Sequence, residues 1–172
     1  MRENSKLIQL AELGFSLAGE SVSLGFDLQR IAPTVVKLPR GLDSQFESLL
    51  ADSWPSDFFL GSVEFFGPDR INIEHAELYP GLTVIEHGFF CFGSDGAGTL
   101  YTYCVEDGRV YLLPNENFSD DGMVSSDWAP IETSAANIKS VALQSWNSLD
   151  AFFDWALVEL RRFEQQQADE EE

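Results

Sequence analysis

The chain is poor in cations and in the residues that usually build reactive sites. Lys and Arg together number 10 against 29 Asp and Glu, so the net charge is −19. A direct nucleic-acid partner is not expected, because phosphate binding needs a basic footprint. Histidine occurs twice, as His75 and His87, and cysteine twice, as Cys91 and Cys104. Neither a Cys-x-x-Cys pair nor a His-Glu-x-x-His spacing is present, so the usual zinc arrangements are missing. No apolar run approaches the roughly 20 residues that span a bilayer. Residues 1–13 lack a charged region followed by an apolar stretch and a small-residue cleavage site, so a cytoplasmic protein is expected, with no membrane partner.

What the chain does have is apolar and aromatic substance. Of its 172 residues, 44% are hydrophobic and 13% aromatic, enough for one domain with a sizeable core. The densest stretch is 84–113, VIEHGFFCFGSDGAGTLYTYCVEDGRVYLL. Asp-Gly and Gly-Ala-Gly turns separate runs rich in β-branched and aromatic residues, which predicts three antiparallel strands in a meander. Apolar bulk on both faces of the first run, from Val84 and Ile85 to Phe92, makes that strand central. Cys91 and Cys104 fall on adjacent strands. A bridge between them would need an oxidising compartment, and the cytoplasmic reading makes them free, buried thiols.

Around the meander the expected fold class is α+β, an antiparallel sheet with helices packed on one face. Leu42, Phe46, Leu49 and Leu50 at i, i+4, i+7 and i+8 predict an amphipathic helix. Leu149, Phe152, Phe153, Ala156, Leu157, Leu160 and Phe163 predict a C-terminal helix over about 148–163, capped by Asn147 or Ser148. Near the N-terminus, Leu7, Leu10 and Ala11 share a weak helical face. After it, Leu13, Phe15 and Leu17 alternate, as do Val22, Leu24, Phe26 and Leu28, which predicts a hairpin over about 13–28. Phe58–Phe66 is a strand candidate broken by Gly61, and 114–143 reads as a long loop. Residues 1–164 are expected to form one domain and 165–172 a frayed acidic tail.

Candidate chemistry is thin. Gly93–Gly98 looks superficially like a phosphate loop, but it lacks the Gly-Lys-Ser/Thr ending and runs into a strand instead of a helix. His75, His87 and the neighbouring Glu74, Glu77 and Glu86 could gather a metal, although the spacing follows no standard pattern. Cys91 and His87 would stand about 13 Å apart along one strand, too far for proton transfer. No catalytic residue is assigned, and no cofactor.

Three stretches together resemble the SUKH superfamily, which includes many bacterial toxin-immunity proteins. Leu38-Pro39 and the helix through Phe46, Leu49 and Leu50 are similar to that family's Leu-Pro-x-x-Tyr/Phe helix. Phe90-Cys-Phe-Gly-Ser-Asp-Gly-Ala-Gly-Thr-Leu-Tyr-Thr-Tyr103, followed by Gly108-Arg-Val-Tyr111, is similar to its strand, Gly-rich turn, strand and Gly-x-Val-Tyr strand. Ser145-Trp-Asn-Ser-Leu-Asp-Ala-Phe-Phe153 resembles its closing segment. The resemblance runs from Leu38 to Leu160. It implies a non-catalytic module that binds other proteins, with a cognate toxin or another basic protein as partner.

The acid excess then has two readings, solubility or attraction of a cationic partner. On the second reading the candidate contact residues are Glu74, Glu77, Asp120 and Asp121, acids in segments read as loops. A regulatory scaffold of the same fold with a non-toxin partner, and a metal-dependent enzyme built on His75 and His87, remain as alternatives.

Overall fold

The computed structural model describes residues 2–36, 44–119, 124–126 and 129–170. The fold is α+β. Among the described residues a six-stranded antiparallel sheet runs in the order β1-β2-β3-β4-β5-β8. Its strands are β1 (Phe58–Leu60), β2 (Val63–Phe65), β3 (Phe89–Ser94), β4 (Thr99–Cys104), β5 (Val110–Pro114) and β8 (Gln144–Trp146). A two-stranded hairpin, β6 (Val124–Ser126) and β7 (Ala129–Ile131), lies outside it. The meander expected from the sequence is β3-β4-β5, at the centre of the sheet. Every residue of β3 is buried.

Two glycines make the meander possible. Gly96 turns the β3–β4 hairpin with φ +78°, a conformation L side chains avoid. Asp95 fastens the turn by accepting the N–H groups of Ala97 and Thr99 at 2.8 and 3.1 Å. Gly93 sits at a register shift between Cys91 and Gly93, opposite Phe65 of β2. A Cβ there would collide with the Glu64 carbonyl, so only glycine lets β2 approach. The glycine-rich run therefore shapes a ribbon. The strand is shorter than its apolar pattern suggested: Val84 ends helix α5 (Gly81–Val84), and Ile85–His87 is a 3-10 turn.

One face of the sheet carries Phe65, Phe90, Phe92, Tyr101, Tyr103 and Trp146. Helix α7 (Leu149–Glu170) packs Phe152 onto Phe65, Phe92, Tyr101 and Trp146, with ring centroids 5.0–6.3 Å apart. Its buried residues are Leu149, Phe152, Phe153, Ala156, Leu157 and Leu160, a single helical stripe. Ser148 is the cap, its Oγ accepting the Ala151 N–H at 3.1 Å. Helix α3 (Ser44–Asp52) adds Phe46, which lies against Phe90, Phe92, Tyr103 and Trp54. Leu42, assigned to this helix from its spacing, is outside the described residues. The opposite face meets helix α6 (Ala135–Ser140), whose Lys139 lies 5.9 Å over the Tyr111 ring.

Three expectations are corrected. Residues 13–28 do not form a hairpin. Helix α1 (Arg2–Ala18) continues through Leu13 and Phe15, and 22–28 makes a single bridge, Leu24 to Pro55. The helical period wins because Leu7, Leu10, Ala11 and Phe15 all bury on one side. Lys6 fixes that side by bridging Asp150 and Asp154 of α7 at 2.8 and 2.6 Å. Next, the tail is helical to Glu170, because α7 simply runs on beyond its packed stripe. Finally, the loop after Leu113 contains β6, β7 and α6.

Candidate functional site

Residues 68–87 form a helical elbow. Helix α4 spans Pro68–Ala76, with Pro68 at the start of the first turn. A proline suits that position because its missing N–H would have no helical partner anyway. Gly67 precedes it without a capping side chain of its own. Asp57 supplies the acceptor instead, taking the Gly67 N–H at 3.0 Å. Asp69 lies in the first turn, where the helix dipole favours an acid. The chain then turns through Tyr79-Pro80 into α5. Asn72 ties the elbow to the preceding loop, accepting from the Ala32 N–H and donating to the Arg30 carbonyl, both at 2.7 Å.

The buried side of α4 is Pro68, Ile71, Glu74 and His75. Two of these four are ionisable, and the fold treats them differently. The His75 ring stacks on Phe90, with centroids 5.2 Å apart. Its Nε2 accepts the Cys91 N–H at 2.9 Å, so Nδ1 carries the proton and donates to the Ile71 carbonyl at 2.8 Å. Both nitrogens are engaged, and burial lowers the pKa to about 4. The ring is neutral at pH 7.

Glu74 is only 2% exposed. The Gly81 N–H points at its carboxylate, and the Arg70 guanidinium stands 3.5 Å from Oε2. Oε1 has no partner. Burial raises its pKa to about 7, with the Arg70 charge opposing the shift and the Glu64 charge adding to it. Glu64 is itself bonded by the Ser94 hydroxyl.

The solvent side of the elbow is different in kind. On α4 and its cap, Asp69, Ile73, Ala76 and Glu77 are exposed at i, i+4, i+7 and i+8. Leu82 of α5 and Glu86 follow at a spacing of four, also exposed. Ile73 and Leu82 are 43% and 37% exposed. They are the chain neighbours of Glu74 and Gly81, whose contact closes the elbow; a Cβ on Gly81 would collide with the Glu74 carbonyl and lie 3.0 Å from the Glu74 Cγ. The exposed side of the elbow thus carries two apolar side chains, Ile73 and Leu82, three acids, Asp69, Glu77 and Glu86, and one cation, Arg70. Interfaces combine apolar and charged side chains.

No family model matches this chain, nor does any curated protein or solved structure.

Of the four acids singled out from the sequence, Glu77 is exposed, at the C-cap of α4. Glu74 is corrected: it lies on a helix and faces inward, so it is not a contact residue on the closed surface. Asp120 and Asp121 lie outside the described residues. The metal alternative loses its geometry, since His75 is saturated by backbone groups and His87 sits in the 3-10 turn, not on a strand. Among the described residues no group of three or more His, Cys, Asp or Glu is placed to hold an ion. Cys91 and Cys104 are free and buried. Among the described residues no helix is long and apolar enough to cross a membrane.

Sequence reasoning missed Asp69, Ile73 and Leu82, and named Glu86 only as an acid near a possible metal. The signal was available in the four-residue spacing Asp69–Ile73–Glu77, but the polar pair Glu74–His75 on the inner side hid the helix.

Proposed function

We propose that this chain is a non-catalytic protein-binding module that restrains a cationic protein, an immunity-type member of the SUKH superfamily working in the cytoplasm. The observation that carries this reading is the elbow surface: Ile73 and Leu82 are exposed on the same elbow as Asp69, Glu77 and Glu86. The distribution of cations supports it. Lys6, Arg30, Lys139 and Arg162 each pair with at least one of the chain's own acids, and Arg70 stands 3.5 Å from Glu74. The field reaching solvent is therefore dominated by the remaining carboxylates of a chain with net charge −19. A negative field of this kind speeds encounter with a basic surface, and the apolar side chains supply adhesion once the two meet.

In this account the module acts by covering. Glu77 and Glu86 face cationic groups of the partner, while Ile73 and Leu82 are desolvated against an apolar spot beside them. The test is co-expression with the protein encoded by the adjacent gene, followed by size-exclusion chromatography. A stoichiometric complex that dissociates in high salt supports the reading. Two separate peaks at low salt reject it.

A further inference from the structure

A carboxylic acid sits where the elbow closes, and its two oxygens are unequally served. Oε2 has an exposed guanidinium at 3.5 Å, and Oε1 has nothing. An ionised carboxylate buried with an unpaired oxygen is costly, whereas the protonated acid is tolerated far better. The groups around it offset this balance only in part, Arg70 and the Gly81 N–H favouring the ionised form. From β2, Glu64 adds a like charge; from β3, Cys91 is a buried thiol held protonated by its own burial; from α5 only the Gly81 N–H arrives. From the preceding loop, Arg30 is turned to Asp69 and not to Glu74. On α4 itself, Arg70 is partly engaged over the Phe66 ring at 5.2 Å, and His75 is neutral.

We propose that Glu74 is a proton-operated latch on the α4–α5 elbow. Protonated, it packs beneath Gly81 and holds α5 against α4. Ionised, it favours an opened elbow in which the carboxylate reaches water beside Arg70. Ile73 and Leu82 flank the latched contact, so opening rearranges the outer face as well. The inference concerns the fold alone and holds whatever partner the surface takes.

The direction of the effect follows from linkage. The closed elbow binds the Glu74 proton more tightly, with a pKa of about 7 against 4.5 for the free side chain. Opening is therefore suppressed at low pH, grows as pH rises from about 4.5 to about 7, and levels off above. His75 works in the opposite sense at its own contact, because its ring gains a proton only on release.

The test is amide hydrogen exchange, corrected for intrinsic base catalysis, on the full chain. The Leu82 and Val84 N–H groups, bonded to the Leu78 and Pro80 carbonyls, report the elbow. Tenfold or greater loss of protection between pH 5 and pH 7.5 is expected in the wild type. Little change with pH is expected in Glu74→Gln. In parallel, the Glu74 side-chain carboxyl followed by carbon NMR should titrate near pH 7, and Arg70→Gln should move that midpoint upward. The wild-type exchange profile needs no variant, so it decides the matter even if Glu74→Gln fails to fold. A midpoint at or below pH 5, or equal protection of Leu82 and Val84 at both pH values, overturns the latch.

Discussion

The imidazole of His75 accepts the backbone N–H of Cys91 at 2.9 Å, doing for β3 what a neighbouring strand would otherwise do. Strand β2 pairs with β3 only from Gly93 onward, with one further bond from the Phe66 N–H to the Phe92 carbonyl. Below that point the edge of β3 meets helix α4 instead. A polar side chain is thus buried there because the sheet needs an acceptor. His75→Phe should keep the stack on Phe90 and lose the acceptor, costing about 1–3 kcal/mol for a buried donor left unsatisfied. His75→Gln, which carries an acceptor of similar reach, should recover part of the loss. Chemical denaturation of the three proteins at pH 7 measures both effects.

Neighbouring residues on α4 respond to acid in opposite ways. Glu74 has a folded pKa raised to about 7, so its contribution to stability is present below about pH 4.5 and is lost as pH rises through 7. His75 has a folded pKa lowered to about 4, so its contribution is present above about pH 6.5 and is lost as pH falls through 4. Between pH 4.5 and 6.5 the two slopes oppose each other. Glu74→Gln should therefore gain stability relative to the wild type as pH rises, by up to about 3 kcal/mol between pH 4.5 and 7. His75→Gln should show the converse, its deficit shrinking as pH falls from 6.5 to 4. Urea midpoints across this range give both curves.

At Gly93 the approach of β2 to β3 leaves no room for a Cβ. Gly93→Ala places a methyl group against the Glu64 carbonyl and must push β2 away. The expected cost is about 2–4 kcal/mol, the range of overpacking that moves backbone. Gly19 has open space around its missing Cβ, and Gly19→Ala is the control for the alanine itself. Its own left-handed φ of +69° should cost about 1 kcal/mol. Thermal unfolding of the two variants separates collision from backbone strain.

The parts of this fold that were legible from sequence share a physical reason. The β3-β4-β5 meander announces itself because Asp-Gly turns and apolar aromatic strands agree with each other. The helical stripe from Leu149 to Leu160 is equally plain, since its burial period and its Ser148 cap point the same way. The N-terminal segment was ambiguous. Leu13, Phe15 and Leu17 alternate as a strand would, and only the packing of α1 against α7 decides for the helix. The elbow was illegible for a different reason. Its inner side uses Glu74 and His75 where a helix usually shows Leu or Ile, so the hydrophobic period is broken at the residues that matter most. Of the site itself, the sequence pointed to Glu77 but could not show that Glu74, three residues earlier, faces the other way.

Whether the acidic elbow meets a basic protein is read from association kinetics. The rate of binding to the protein encoded by the adjacent gene should be measured at low and high salt for the wild type, for Glu77→Lys/Glu86→Lys, and for Glu132→Lys beside α6. The elbow reversal should slow association tenfold or more at low salt and flatten its salt dependence, while Glu132→Lys changes the rate only slightly. Equal rates for the wild type and the elbow variant at low salt would show that the elbow does not face the partner.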